Sequence, residues 1–526
     1  MGISKTLAGL LLAMPLPTLA AGAIPQRGEL EKKAFEDSIG GYRLKPPKDW
    51  VTVPVSPEAR QEGLALQMED GARLLRVVLV DSPDEFSEWV KRVSAELTRL
   101  FNPEPSEKVE AFQLDRPELD EQQEISALPV HHRRWLAKIR YPGGAPADAW
   151  IDTWFFAREQ DKIGLVFTVS EGDKFARSWL DAFERSAKSL QIFEPSPVVG
   201  SGAGASYAER LEAARAEAER TPGWRVVATP SEKFILTTSS DNQKFVDEVI
   251  DRLERSRQVF EEDYPPPADF RHVSIVRLCG TEEEFHRYGK TGGGVMGWFN
   301  PDSTELVLFD AKDIDRNMSY AVMTHEAFHQ YCHFLFGRSE AHRWFDEGHG
   351  DYYGGMKFSE RGKPKITARM PGGLERLTGI RELIQSGTHA PLADHLNFDH
   401  EQWQTQGPGN TSCYEESWSI VYMLRQGMLG EVNPKVWRPE YARILPSYIE
   451  TLRKGFAAAY EEARRKQAEQ AAEAAAAAPA ELDSDDLGEE TVRRIWKEAL
   501  DASWGKIDLA RFEEDWKLYV KKYLKD

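Results

Sequence analysis

Cysteine is scarce in this sequence, which limits the crosslinks and metal sites that the chain can form. Only Cys279, Cys332 and Cys413 occur among 526 residues. Three cysteines allow at most one disulfide bond, and no Cys-x-x-Cys pair is present to build a zinc site from thiolates. We therefore expect all three side chains to be small members of a hydrophobic core.

Positive charge is also in deficit. The chain has 67 lysines and arginines against 86 aspartates and glutamates, a formal net charge of −19. A chain with this excess of negative charge is poorly suited to bind nucleic acid or an anionic membrane surface. After the N-terminal segment, no apolar run reaches the length of a transmembrane helix. We expect no nucleic-acid partner and no integral membrane segment in the mature chain.

The first 23 residues have the pattern of a secretory signal peptide. Lys5 provides a positive charge, residues 7–19 form an apolar run, and residues 20–23 include three alanines suited to cleavage. A short membrane anchor is the alternative, but the apolar run is short and Pro15 interrupts it. The pattern predicts a signal peptide at residues 1–23 and an exported protein, secreted or periplasmic.

The length predicts two or three domains. Residues 28–195 contain five runs of β-branched and aromatic residues at strand length, and two segments with apolar residues every three or four positions. We assign them to an N-terminal α/β domain. Residues 196–206, rich in Pro, Gly, Ser and Ala, predict a linker. We assign residues 207–526 to a second domain, with a low-complexity insertion at about 456–490.

The two helical segments of the first domain are DEFSEWVKRVSAELTRLF, at 84–101, and DKFARSWLDAFERSAKSLQIF, at 173–193. The opening GYRLKPPKDWVTVPV and the closing helix resemble the small α/β sandwiches related to the photosystem PsbP protein and the Mog1 fold. This resemblance covers about a third of the chain and implies no activity.

The second domain contains the segment His325-Glu326-Ala327-Phe328-His329. On a helix, residues four apart lie on one face, so both histidines can direct a ring nitrogen at one metal ion. Glu326 is rotated to the side of that pair, where its carboxylate can reach a water molecule beside the metal. The alternative is two histidines that lie four apart by chance on a buried helix. The uncharged neighbours of the motif favour the metal site.

Two histidines need a third ligand, and Glu347 lies far enough downstream for a second helix to return against the first. Asp351 follows Glu347 by four positions, so we expect it to accept a hydrogen bond from the far nitrogen of a ligand histidine. His333 lies four positions after His329, on the same helix face, and we interpret it as a packing residue. We expect His342 at the surface or at the rim of the cleft.

HEAFH followed by WFDEG, with YEESWSIVYML downstream, resembles the gluzincin metallopeptidases. The context is most similar to the peptidase MA-like branch, near the M1-aminopeptidase and thermolysin families. The resemblance implies an α+β fold: after the N-terminal sandwich-like domain comes a zincin-type domain with a small mixed sheet, an edge strand, the HExxH helix and a mainly helical C-terminal part. It implies Zn2+ as cofactor, with His325, His329 and Glu347 as ligands and Glu326 as general base.

The expected activity is zinc-dependent hydrolysis of a peptide bond in an exported protein or peptide substrate. Tyr414 is the candidate hydrogen-bond donor to the oxyanion. The alternative, that Tyr414 is an aromatic residue of the core, is equally supported by the sequence. GGGVMGWFNPDSTELVLFD, at 292–310, corresponds to the substrate-binding edge strand, whereas the G-x-M-E-N motif of aminopeptidases is missing. Two alternatives stay open. One is a non-catalytic, zinc-containing binding or scaffold protein of the cell envelope; the other is a hydrolase of non-peptide amides, such as cell-wall crosslinks.

Overall fold

A computed structural model describes most of the chain in two compact units. The first unit contains the described residues of 27–195 with 208–225 and 286–289, and the second contains 206–207, 226–285 and 294–525. The described residues are 27–55, 59–60, 63–70, 73–80, 112–113, 117–139, 147–157, 162–195, 206–267, 270, 272–289, 294–301, 303–312, 315–369, 376–405, 412–474, 482 and 484–525.

The predicted signal peptide at 1–23 and the predicted helix at 84–101 lie outside these residues, as does nearly all of the predicted linker at 196–206. The chain is a mixed α and β structure, in agreement with the expected α+β class. None of the helices in the described part combines the length and the apolar character that crossing a bilayer requires.

The first unit is built on an antiparallel sheet with strand order β3-β4-β5-β10-β9-β8-β6, in which β7 also pairs with β8. A small sheet, β1-β2-β11, and the helix α1 belong to the same unit. The bounds are β1 Phe35–Asp37, β2 Tyr42–Leu44, β3 Val51–Val53, β4 Leu64–Glu69, β5 Arg73–Val80, β6 Phe112–Gln113, β7 Leu119–Ile125, β8 Leu128–Ile139, β9 Ala147–Ala157, β10 Lys162–Ser170, α1 Ala176–Lys188 and β11 Gln191–Ile192.

The core of the first unit lies between the large sheet and α1. Trp179 and Phe183 of α1 are almost fully buried, and the Phe183 ring stacks on that of Phe167 in β10 with centroids 4.7 Å apart. The five predicted strands and the α1 helix are therefore confirmed. These elements could be predicted because burial leaves a pattern in the sequence. A strand buried on one face alternates apolar and polar residues, and a strand covered on both faces is a continuous apolar run.

The next helix is α2 (Tyr207–Glu219), at the start of the segment that the sequence assigns to the second domain. Most of this helix belongs to the first unit. Arg220, just after it, forms a 2.8 Å ion pair with the buried carboxylate of Asp37, and Glu217 accepts a 2.9 Å hydrogen bond from Nε of Arg60. Both charge pairs join residues that are distant in the sequence. The composition of the linker before α2 therefore could not indicate with which unit the helix packs.

The second unit contains a five-stranded mixed sheet with order β12-β13-β14-β16-β15. β13, β14 and β16 run parallel, and β15 pairs antiparallel with β16 at the edge. The bounds are β12 Arg225–Ala228, β13 Phe234–Thr238, β14 Ser274–Cys279, β15 Gly297–Asn300, β16 Glu305–Phe309 and, in a separate hairpin, β17 Met356–Lys357 with β18 Lys365–Ile366.

The remaining elements of the described chain are helices, all in the second unit except that the second half of α4 (residues 286–289) belongs to the first unit. Their bounds are α3 Gln243–Asp263, α4 Glu282–Gly289, α5 Arg316–Leu335, α6 Arg343–Gly354, α7 Arg376–Ser386, α8 Leu392–His395, α9 His400–Thr405, α10 Ser412–Met428, α11 Ile444–Ala474, α12 Ser484–Leu487, α13 Glu489–Ala502 and α14 Leu509–Lys522, with short 3-10 turns at Pro439–Arg443 and Trp504–Lys506.

One hydrophobic core joins these helices to the sheet. Phe512, Trp516 and Tyr519 of α14 are buried in it, which confirms that the C-terminal helices pack back onto the second unit. The predicted insertion at about 456–490 begins inside α11, where Phe456 and Tyr460 are core residues rather than surface residues. All three cysteines are buried, as expected, and their thiols are free.

Candidate metal centre

The centre is built on α5 (Arg316–Leu335), which Asp315 precedes as the N-cap residue and Gly337 follows. The Asp315 carboxylate caps the first turn by accepting a 2.9 Å hydrogen bond from the Asn317 N–H. Gly337, with φ of +71°, ends the helix in the left-handed conformation, as the sequence predicts. In between, His325 and His329 lie on one face with ring centroids 4.6 Å apart.

Helix α6 returns against α5 and brings Glu347 to the two histidines. Oε2 of Glu347 lies 3.3 Å from Nε2 of His325 and 3.6 Å from Nε2 of His329. One ligand atom from each of the three residues lies within 4.8 Å of the others. Two imidazole nitrogens and one carboxylate oxygen, gathered at this spacing and only partly exposed, form a donor set that suits a divalent transition metal. The predicted convergence of these three side chains is present.

The far nitrogen of His325 contacts Asp351, as the spacing from Glu347 predicts. Nδ1 of His325 lies 3.1 Å from Oδ1 of Asp351, and Arg376 in turn holds the carboxylate through hydrogen bonds of 2.7 and 3.4 Å. An acceptor at Nδ1 fixes the ring tautomer that leaves Nε2 free to bind. Sequence reasoning missed Arg376, which comes from a different helix, α7.

His329 has a carboxylate partner of its own that sequence reasoning also missed. Its Nδ1 lies 2.9 Å from Oδ2 of Asp346, the residue just before Glu347. Consecutive residues at the start of α6 therefore approach the same imidazole from its two nitrogens. The only signal in the sequence was the Asp-Glu pair itself, because the contact depends on how α6 crosses α5.

These carboxylates determine the charges of the free site. Burial lowers the pKa of His325, but its hydrogen bonds with Asp351 and Glu347 outweigh burial and raise the pKa to about 9. Burial likewise opposes protonation of His329, and the Asp346 carboxylate raises its pKa well above the usual range. Burial raises the pKa of Glu347, whereas hydrogen bonds from both histidines hold it well below the usual value. The carboxylates around the two imidazoles thus raise the pKa values of both histidines, and the histidines lower that of Glu347.

Glu326 lies beside the ligand set and is held by the edge strand. Its Oε2 accepts a 2.9 Å hydrogen bond from the backbone N–H of Phe299 in β15. Burial raises the pKa of Glu326 above its usual range, although the charges of the two histidines oppose this shift. A carboxylate with a raised pKa is a stronger proton acceptor than an ordinary carboxylate.

These residues line a cleft of about 470 Å3. The Phe299 side of β15 forms one wall, and Tyr414 of α10 lies on the wall that also contains Arg376, whose guanidinium carbon is 5.1 Å from the Tyr414 ring centre. Arg343 also lines the cleft, 3.3 Å from Oε1 of Glu347. The predicted edge strand and Tyr414 thus both border the ligand set. The first residues of the predicted strand segment lie outside the described part of the chain.

The remaining histidines near the motif are not part of the ligand set. His333 is 3% exposed among the rings of Phe299 and Phe334, in line with a packing residue. The expectation that His342 is at the surface or the cleft rim is wrong. His342 is buried, caps α6 through a 3.4 Å hydrogen bond from the Trp344 N–H, and contacts the Phe398 carbonyl at 3.0 Å.

Comparison with known proteins adds little to this geometry. No protein family model matches the chain, and no curated protein matches it. Among solved structures, cyanobacterial PsbP from Synechocystis sp. PCC 6803 is 13% identical and covers 34% of this chain and 99% of its own, with a TM-score of 0.23.

Two further structures show comparable similarity. A Bacteroides thetaiotaomicron VPI-5482 protein is 10% identical and covers 66% of this chain and 88% of its own, with a TM-score of 0.20. LpqN, involved in cell envelope biogenesis of Mycobacterium tuberculosis, is 12% identical and covers 32% of this chain and 92% of its own, with a TM-score of 0.19. PsbP is of the kind that the N-terminal pattern resembles, but similarities at these scores carry no argument about family or function.

Proposed function

We propose that this chain is a zinc-dependent hydrolase of peptide bonds. The observation that carries the proposal is the convergence of His325, His329 and Glu347, whose ligand atoms lie within 4.8 Å of one another, with Glu326 beside them in an open cleft. Two histidines, one carboxylate and a position left free are the features of a catalytic rather than a structural zinc site. The resemblance of HEAFH and WFDEG to gluzincin peptidases supports the same function.

The donor set supports zinc as the metal. Imidazole nitrogens and a carboxylate oxygen suit zinc, and each histidine has a carboxylate at its other nitrogen, as the histidine ligands of zinc usually have. When bound at His325, His329 and Glu347, zinc would supply Lewis acidity, which lowers the pKa of water and polarises a carbonyl group.

Glu326 is the proposed general base and acid. Its carboxylate takes a proton from the attacking water and later gives that proton to the leaving amine. The Phe299 N–H, 2.9 Å from Oε2, holds the carboxylate at the wall of the cleft. A structural metal site has no use for such a base, so Glu326 favours an enzyme over the non-catalytic binding or scaffold alternative.

The edge strand supports an extended peptide as the substrate. β15 pairs with β16 on one side, and no strand of the described residues pairs with its other side. A peptide can add to such an edge through main-chain hydrogen bonds, which would lay its backbone along the cleft beside Glu326. Tyr414, on the cleft wall, is the proposed donor to the oxyanion.

A digest of a proteome-derived peptide mixture tests the proposal. The wild type, Glu326→Gln and the exposed control Glu360→Gln are loaded with zinc, and the products are read by mass spectrometry. We expect new peptide termini with the wild type and the control, and none with Glu326→Gln, although that variant retains its zinc. Zinc bound by the wild type without any cleavage would instead favour the non-catalytic binding protein.

A further inference from the structure

A second concavity lies in the same unit and shares no lining residue with the metal cleft. It has a volume of about 710 Å3 and is bordered by the segment after α3, by the C-terminal ends of α5 and α10, and by the first half of α11. We call it the α11 groove. Its size is in the range of pockets that hold small molecules.

The inner surface of the α11 groove is apolar. Phe334, Phe336, Leu445 and Ile449 contribute buried side chains, and Met428 at its edge is 42% exposed. Covering a surface of this kind with an alkyl chain is favourable, because apolar area is removed from water.

The charged side chains of the groove are mainly cationic. Arg425, Arg453, Lys454 and Arg464 line it, against only two acidic residues, Asp263 and Glu450. Four positive and two negative charges leave a local excess of two positive charges, in a chain whose net charge is −19. This local reversal of sign favours an anionic ligand.

Arg425 is the most deeply placed of these cations, with an exposure of 6%. Its guanidinium forms an ion pair with Asp263 and lies 3.5 Å from the Tyr264 hydroxyl. Its Nε is buried and has no hydrogen-bond partner among the described residues. Asp263 already pairs with Arg425. The partly exposed Arg453 and the exposed Arg464 are therefore the cations of the groove that an anionic ligand can reach.

We propose that the α11 groove binds an anionic amphiphile, a long-chain carboxylate. Its alkyl chain enters between Met428, Leu445 and Ile449, and its carboxylate interacts with Arg453 and Arg464 at the rim. This binding site is separate from the metal cleft and does not depend on the proposed peptidase activity.

Ala457 offers a direct test, because it lines the groove from an exposed position of α11. A charge there changes the groove without disturbing a core. The full chain is titrated with dodecanoate below its micelle concentration, by calorimetry, and dodecyltrimethylammonium serves as a cationic ligand with the same alkyl chain. Ala458, exposed on the same helix but not lining the groove, provides matched control variants.

We expect one saturable dodecanoate site per chain. Ala457→Asp should weaken dodecanoate binding about fivefold and Ala457→Lys should strengthen it by a similar factor, the size of a partly exposed charge interaction. Ala458→Asp and Ala458→Lys should leave the affinity unchanged. Absence of a saturable site, equal affinity for the cationic amphiphile, or indifference to the charge at Ala457 would each overturn the proposal.

Discussion

Oδ2 of Asp346 lies 2.9 Å from Nδ1 of His329, while Glu347, the next residue, faces the Nε2 of the same ring. With Asp351 at the far nitrogen of His325, each histidine of the candidate centre has its own carboxylate. Such partners orient the imidazole and make its free nitrogen a better ligand. The pairing therefore leads to a prediction about metal affinity.

Asp346→Ala should lower zinc affinity by about 10- to 100-fold, the usual effect of removing a carboxylate behind a ligand histidine. Asp346→Asn should have a smaller effect, because its side chain keeps an oxygen atom that can lie close to Nδ1 of His329. Competition with a chromogenic chelator measures both, with Asp394→Asn, at an exposed position of α8, as the control. Equal affinity in all four proteins would contradict the assigned role of Asp346.

Gly350 provides a steric test of the His325 position. A Cβ atom at residue 350 would lie 2.8 Å from Cε1 and Nε2 of His325, closer than such contacts occur. Gly350→Ala should therefore displace the imidazole and lower zinc affinity by at least about tenfold, on the scale of a lost orienting contact. Gly505→Ala is the matched control, since its nearest neighbour would be 3.7 Å away. Unchanged zinc affinity in Gly350→Ala would mean that His325 does not bind zinc in the described geometry.

Tyr414→Phe tests the proposed oxyanion donor. Loss of one such donor typically lowers kcat by a factor of about 10² to 10³, and zinc content should not change. Tyr422→Phe, on the same helix but outside the cleft, should retain full activity. If both variants are equally active, Tyr414 is the core aromatic that the sequence left as its alternative.

A buried pair away from the metal cleft predicts a pH dependence of stability. Burial raises the pKa of Glu416 to about 8, and burial lowers that of His395, 3.3 Å away, to about 3. Between pH 4.5 and 8 the unfolded chain loses the Glu416 proton while the folded chain keeps it. Through Glu416, folding thus binds a proton in that window, and stability falls as pH rises. His395, kept neutral by burial, has the opposite effect between about pH 3 and 6.5, but it is present in both proteins compared below.

Glu416→Gln removes this titration and keeps the shape of the side chain. Its amide can still accept the hydrogen bond from the Ala390 N–H. The thermal midpoint of the variant, relative to that of the wild type, should therefore rise between pH 5 and pH 8. Glu401→Gln, an exposed control, should show no such change. A relative midpoint of Glu416→Gln that stays constant across the window would show that Glu416 is ionised in the folded chain.

The elements that were predictable have strong local signals. The long apolar runs of β5, β9 and β10 and the amphipathic helices α1 and α3 were correct because burial imposes a period of two or of three to four on the sequence. That His325 and His329 lie on one helix face follows from helical geometry alone. Asp351 followed in the same way from its spacing to Glu347, once Glu347 was chosen.

The rest of the site depends on tertiary contacts that no local pattern contains. Asp346 reaches His329 because of the angle at which α6 crosses α5, and Arg376 reaches Asp351 from α7. His342 was expected near solvent because it is polar, but the chain uses it to cap α6 inside the core. The side on which α2 packs was set by the buried pair of Arg220 and Asp37, distant in the sequence.

Zinc analysis of the purified chain tests the central claim, that His325, His329 and Glu347 hold one zinc ion. The account predicts about one zinc per wild-type chain by elemental analysis, and almost none in a folded His325→Ala/His329→Ala double variant. Circular dichroism verifies that the variant is folded. A wild type that binds no zinc under saturating conditions, or a double variant that keeps its full zinc content, would contradict the account.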